Sequence, residues 1–224
     1  MRIWLVLIGL LIAAPPARAE VWPPCDGCTL ALPADTAEPI PLLVVLHGDR
    51  GKATTWASRW REAALERGMG VLALQCPEEL GCKDAIWYMW DGDAKWVVEQ
   101  IDKLGREVKL DRSKVYLAGF SGGASFIGQR IRTWAGFAGL VFHAGAMGPS
   151  DGRCLKPTPP TYFLVGELNQ YHSTQKLVRN FLEGCRAKVR WDLLKKGDHD
   201  DEERALTPKK AGQILDWLVK QQRS

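Results

Sequence analysis

Long apolar runs are scarce in this chain. One stretch, Ile3 to Ala14, is apolar for twelve residues, well short of the roughly 20 that cross a bilayer. No second span follows, which argues against a polytopic membrane protein. Blocks of one charge are also missing: 30 Lys and Arg face 26 Asp and Glu, with no basic cluster. A chain so balanced lacks the electrostatic footprint of a dedicated nucleic-acid binder. There is no internal repeat and no low-complexity tract, and the composition sits near the globular average, so a coiled coil, a collagen-like rod and a disordered tail are poor fits. Histidine is limited to four residues without zinc-finger spacing, and a single Cys-x-x-Cys occurs, so no metal and no cofactor are expected.

What is present begins with a signal. Met1-Arg2, the apolar run and the small-residue pattern Ala17-Arg18-Ala19 have the layout of a secretory signal peptide over residues 1–19. The remaining 205 residues, 20–224, suit one domain, and losing Arg2 and Arg18 brings the charge to 28 basic against 26 acidic groups. After cleavage no membrane association is expected. Export implies an oxidising destination, where six cysteines read as a disulfide framework. The local pairing is Cys25 with Cys28, Cys76 with Cys82, and Cys154 with Cys185. A redox-active role for Cys25-Asp26-Gly27-Cys28 would need a strand before it and a helix after it, but Pro23-Pro24 precede it.

Patterning alternates between buried strands and amphipathic helices. Strands are expected at 42–46, 71–74, 114–120, 140–143, 162–165 and 189–194, and helices at 54–67, 93–108, 121–134, 174–185 and 208–222. Such alternation predicts βαβ units: an α/β fold with a doubly wound, mainly parallel sheet and right-handed crossovers. Residues 148–160, rich in Gly and Pro, are expected to form a loop pinned by Cys154. No insertion is long enough for a large lid.

The chemistry is concentrated at Gly119-Phe120-Ser121-Gly122-Gly123, which follows a predicted strand and opens a predicted helix. That is the setting of a G-x-S-x-G nucleophile elbow, where a serine sits on a strained turn and the next N–H stays open to an oxyanion. On this motif, most of the chain resembles the α/β-hydrolase superfamily, and more narrowly secreted esterases of the polyhydroxyalkanoate depolymerase and feruloyl esterase type. The resemblance implies Ser121 as nucleophile. It also makes Leu42 to Leu46 with His47-Gly48-Asp49 the strand and loop that supply one oxyanion donor, the N–H of Asp49, beside the N–H of Gly122. The Asp49 carboxylate is expected to point away and cap the turn at Gly51, and His47 to be buried and hydrogen-bonded.

The superfamily's chain order of nucleophile, acid, histidine implies His199 as base, on a loop after the strand ending near Leu194, with His172 in reserve. His143 is expected to pack inside its strand. The acid departs from the pattern, because Gly166-Glu167-Leu168-Asn169 places Asn169 where the family has aspartate. In a serine protease the equivalent Asp-to-Asn change costs about 10⁴ in kcat. Three readings stay open: Glu167 substitutes, Asn169 orients His199 in a weakened triad, or an acidic neighbour of His199 acts. Glu167 is slightly preferred.

Similar esterases carry an aromatic loop near the mouth of the site, which implies Trp87 and Trp90 as substrate-binding rings. Packing is expected for Trp56, Trp60, Trp96, Trp134, Trp191 and Trp217. The expected function is a secreted serine hydrolase cleaving a small or polymeric carboxylic ester through an acyl-enzyme. The alternatives are a non-catalytic or weakly active binding protein on the same fold, and a serine peptidase.

Overall fold

The computed structural model describes residues 21–35 and 37–221, so the expected signal segment at 1–19 lies outside the described residues. The strands are β1 (Thr29–Ala31), β2 (Ile40–Leu46), β3 (Gly70–Leu74), β4 (Leu110–Phe120), β5 (Gly139–His143), β6 (Thr161–Gly166) and β7 (Val189–Leu194). They form one sheet in the order β1-β3-β2-β4-β5-β6-β7. All pairs are parallel except β1 with β3. Among the described residues six α-helices accompany them: α1 (Ala53–Leu65), α2 (Lys95–Glu107), α3 (Gly122–Gln129), α4 (His172–Gly184), α5 (His199–Ala205) and α6 (Pro208–Gln221).

The continuous apolar run of β2 is explained by cover on both faces. Leu42, Val44 and Leu46 pack into a layer with Trp96 and Val97 of α2, Phe126 of α3 and Leu182 of α4. Their neighbours Leu43 and Val45 face the opposite layer, with Trp56 and Trp60 of α1 and Ile214 and Leu215 of α6. A strand whose alternate residues both meet helices has no polar face to keep. The result is a three-layer α/β/α sandwich, without a large lid among the described residues.

Three elements differ from the expected pattern. β1 is a three-residue antiparallel edge, too short to show any alternation. The expected helix over 121–134 stops at Gln129, and residues 131–134 form a separate 3₁₀ turn beyond a non-helical Arg130. The expected loop at His199 is instead helix α5, opened by Asp198, whose side chain accepts from the Asp201 N–H while the Asp201 carboxylate accepts from the Asp198 N–H. This reciprocal cap satisfies two backbone donors of the first turn.

All three local disulfides are present: Cys25–Cys28, Cys76–Cys82 and Cys154–Cys185. The last ties the 148–160 loop to the end of α4 and closes the longest loop, with a sequence separation of 31. Loop-closure entropy for that span corresponds to about 3.7 kcal/mol, against about 2 kcal/mol for the Cys25–Cys28 loop. Replacing Cys154 and Cys185 together by Ser should therefore lower the urea unfolding free energy distinctly more than replacing Cys25 and Cys28. Equal losses would show that loop length does not govern these bridges.

Candidate active site

β4 runs into Ser121 and the chain turns at once into α3. Ser121 has φ 49° and ψ −112°, a left-handed strained conformation that a non-glycine residue adopts only where its surroundings impose it. The surroundings are visible. Its N–H donates to the His143 carbonyl at 2.8 Å, and its own carbonyl accepts from the Ser125 N–H at 2.9 Å. The turn lies so close to β2 that a Cβ on Gly123 would stand 2.6 Å from the His47 carbonyl oxygen and 2.7 Å from that of Leu46.

The loop after β2 is held by a neutral imidazole. His47 is fully buried; its Nδ1–H donates to the Gly48 carbonyl at 2.7 Å, while Nε2 accepts from the Cys76 N–H at 3.1 Å. Burial lowers its pKa, opposed by the Gly48 hydrogen bond, and the two hydrogen bonds set its tautomer. Asp49 departs from expectation. Its carboxylate does not turn away to cap the loop but lies over the elbow, with Oδ1 1.8 Å from where a Cβ on Gly122 would stand. Gly122, which has no Cβ, leaves room for it, and the chain then turns through Arg50 at φ 55°. Partial desolvation raises the Asp49 carboxyl pKa, opposed by the nearby charges of Arg50 and His199.

His199 is the first residue of α5 and faces the same cavity as Ser121, about 450 Å³ in volume, with Asp49, Trp56 and Tyr171 also in its wall. Behind the imidazole lie two buried groups. Asn169 Nδ2 is 3.3 Å from His199 Nδ1, and Glu202 Oε2 is 3.8 Å from it. Glu202 is fully buried; its carboxylate accepts from the Gly166 N–H and from Asn169 Nδ2. Burial pushes its pKa up to about 7. Glu167, the preferred acid of the sequence pattern, is not brought to His199. It lies exposed, and its carboxylate accepts from the Lys196 N–H at 2.9 Å, because the chain leaving β6 turns that side chain toward the β7–α5 connection. His172 is also directed elsewhere, with Nδ1 2.9 Å from the Gly166 carbonyl.

No protein-family model and no curated protein matches the sequence. Solved structures do match the chain trace. A thermostable esterase superposes with TM-score 0.69 and 21% identity over 86% of this chain, and the chain spans 58% of that protein's length. An S-formylglutathione hydrolase from Staphylococcus aureus gives TM-score 0.66 at 16% identity, covering 86% of this chain and 89% of that one. The chain has the α/β-hydrolase fold. A fluorophosphonate-binding serine hydrolase from the same bacterium shares it, with TM-score 0.63 and 18% identity over 86% of this chain and 91% of that one.

Within this hydrolase fold the aromatic loop behaves differently from expectation. Trp87 and Trp90 are buried rather than facing the cavity. They pack edge to face on one another and against Trp96 and Phe126, and Trp90 Nε1 donates to the Leu80 carbonyl at 3.0 Å. The ring that reaches the elbow is Tyr88, with Cδ1 3.2 Å from the Cβ position on Gly122. Trp56, Trp60, Trp96 and Trp134 are core residues as expected, and Trp191 and Trp217 pack partly buried at its margin.

The close approach at Gly123 gives a direct check on the elbow. Gly123→Ala would press a methyl group onto two β2 carbonyls and should destabilise the fold by about 1 to 3 kcal/mol. Gly136→Ala, where a Cβ meets nothing within 4 Å, should change stability by no more than about 0.5 kcal/mol. Thermal or urea unfolding of the two variants side by side decides it; equal stability would refute the tight packing of the turn.

Proposed function

We propose that this protein is an exported serine hydrolase that cleaves a carboxylic ester through an acyl-enzyme. One observation carries the proposal: a serine held at positive φ on a strand-to-helix turn shares a cavity with an imidazole whose rear nitrogen is backed by buried polar groups. Ser121 Oγ attacks the ester carbonyl while His199 Nε2 takes its proton. The backbone N–H groups of Asp49 and Gly122 receive the oxyanion, each worth roughly 3 to 4 kcal/mol in the transition state. His199 then protonates the leaving alcohol, and water, deprotonated by the same imidazole, releases the acid. Side chains and water suffice for every step. Three disulfides, together with the signal-like residues 1–19, support passage to an oxidising compartment. Tyr171 on the cavity wall, with Tyr88 over the elbow, favours an ester that presents an apolar or aromatic group.

The oxidised protein should be labelled at Ser121 by a fluorophosphonate probe and should turn over p-nitrophenyl esters in preference to peptide anilides; Ser121→Ala should abolish both. A folded protein that is not labelled would establish the binding-protein alternative, and preference for the anilides would establish a peptidase.

The Asp49 carboxylate adds a second expectation. An ionised group beside the oxyanion opposes the charge that develops there, by about 1 kcal/mol at 4 Å in a solvated site. Asp49→Asn should thus raise kcat/KM about fivefold at pH 8 and low ionic strength, with the gain shrinking as salt is added. An unchanged or lower kcat/KM would show that the carboxylate does not oppose the transition state.

A further inference from the structure

Three groups compete for the rear nitrogen of His199 in the sequence, and the hydrogen-bond pattern separates them. Glu167 is engaged at the surface by the Lys196 N–H. Asn169 is close enough, but its amide is fixed the wrong way round. Its Oδ1 accepts from the Tyr171 N–H at 2.8 Å, so its NH₂ is the end that faces inward. An NH₂ group only donates. Were it to donate to His199 Nδ1, the ring proton would have to sit on Nε2, the nitrogen that must receive the proton of Ser121. That tautomer cannot act as the base. The two amide hydrogens have acceptors of their own in the Ala144 carbonyl, at 3.4 Å, and Glu202 Oε2.

We infer that Glu202 is the positioning carboxylate of His199, and that Asn169 serves Glu202 rather than the imidazole. This rests on the serine-hydrolase reading above. The Nδ1–H of His199 then points to Glu202 Oε2, whose present distance of 3.8 Å closes by about 1 Å to a normal bond. Such contacts are commonly long before substrate binds. Acid and base stand three residues apart on one helix, so α5 itself sets their separation. When Ser121 gives its proton to Nε2, the proton on Nδ1 stays on the ring, and the carboxylate stabilises the imidazolium without taking a proton.

The groups facing Glu202 are few. Gly166 donates from the end of β6 and Asn169 from the following loop, Gln175 is buried beside it on α4, and Asp198 and His199 lie on its own turn. His143 Nε2 donates to its backbone carbonyl at 2.7 Å. With its pKa pushed up to about 7 by burial, the carboxyl becomes ionised as pH rises through neutrality, so kcat/KM for an ester should show an acid limb near pH 7.

Glu202→Gln should lower kcat about 10³-fold or more with little change in KM, and should slow fluorophosphonate labelling in parallel. The acid limb near pH 7 should move in this variant, whereas Glu167→Gln should keep wild-type kinetics. Asn169→Asp alone should bring no gain, because a second carboxylate beside Glu202 would share its proton. The reciprocal exchange, Glu202→Gln with Asn169→Asp, moves the carboxylate across the same hydrogen bond and should recover at least 100-fold over Glu202→Gln alone. Should Glu202→Gln not fold, the exchange variant carries the test, with kcat expected within about tenfold of wild type. Wild-type rates in folded Glu202→Gln, or an inactive but folded exchange variant, would overturn the assignment. A wild-type protein that does not react with the phosphonate would overturn the hydrolase reading instead.

Discussion

Glu202 places a carboxylate where water does not reach, and a buried charge left alone would cost several kcal/mol. The donors that offset this cost come from elsewhere in the chain: the Gly166 N–H at the end of β6 and the Asn169 amide just beyond it. Because these partners are distant in sequence, α5 satisfies its buried acid only when docked on the end of the sheet. Arg59 of α1 reinforces the docking, with Nη1 donating to the Glu203 carbonyl at 2.9 Å and Nη2 meeting the Glu203 carboxylate at 2.5 Å. His199, in the first turn of that helix, inherits its position from these contacts. A seven-residue helix has little stability of its own, so the placement of His199 is a tertiary property.

His143 links that helix to Ser121. Its carbonyl receives the Ser121 N–H, and its ring donates to the Glu202 carbonyl at 2.7 Å. Burial lowers its pKa to about 3, so the ring stays neutral across the ordinary working range and this bond persists unchanged. One residue at the end of β5 therefore fixes the turn of the serine and the helix of the histidine together. The aromatic layer completes the support. Trp56 stacks on Phe120, the residue before Ser121, with ring centroids 4.0 Å apart, which backs the elbow with rigid rings.

Much of this was legible in the sequence because it is local. The apolar run of β2 reports burial on both faces, and Gly119 to Gly123 marks a turn that other residues could not make. Each cysteine of a pair is joined to the next cysteine along the chain. What escaped the sequence depends on distant segments. Among the acidic neighbours of His199 that the sequence left open, Glu202 was not singled out, because chain-order reasoning looks after β6, where Asn169 stands; the usable signal was Asp198 with Asp201, a cap that starts a helix and so puts residues 199 and 202 within one turn. The inward Asp49 occupies the space that Gly122, from another strand's turn, leaves open, which side-chain chemistry alone does not announce. Trp87 and Trp90 look like a binding pair in one dimension, yet Phe126 and Trp96, which cover them, lie on other helices.

The short strand β1 has a consequence of a different kind. A parallel sheet ends in a row of unpaired amides and carbonyls, and β3 would present such a row at one side of the molecule, ready to pair with the same edge of another copy. Thr29 to Ala31 occupy that side, in antiparallel register from Thr29 with Ala73 to Ala31 with Val71. The Cys25–Cys28 bridge lies just upstream and shortens the freedom of the approach. At the other side, β7 alternates Arg190 and Asp192 with its apolar residues, which discourages a neighbour from adding a strand. Three residues thus act as a selvedge, finishing the sheet so that it does not unravel into its neighbours when many copies are crowded together.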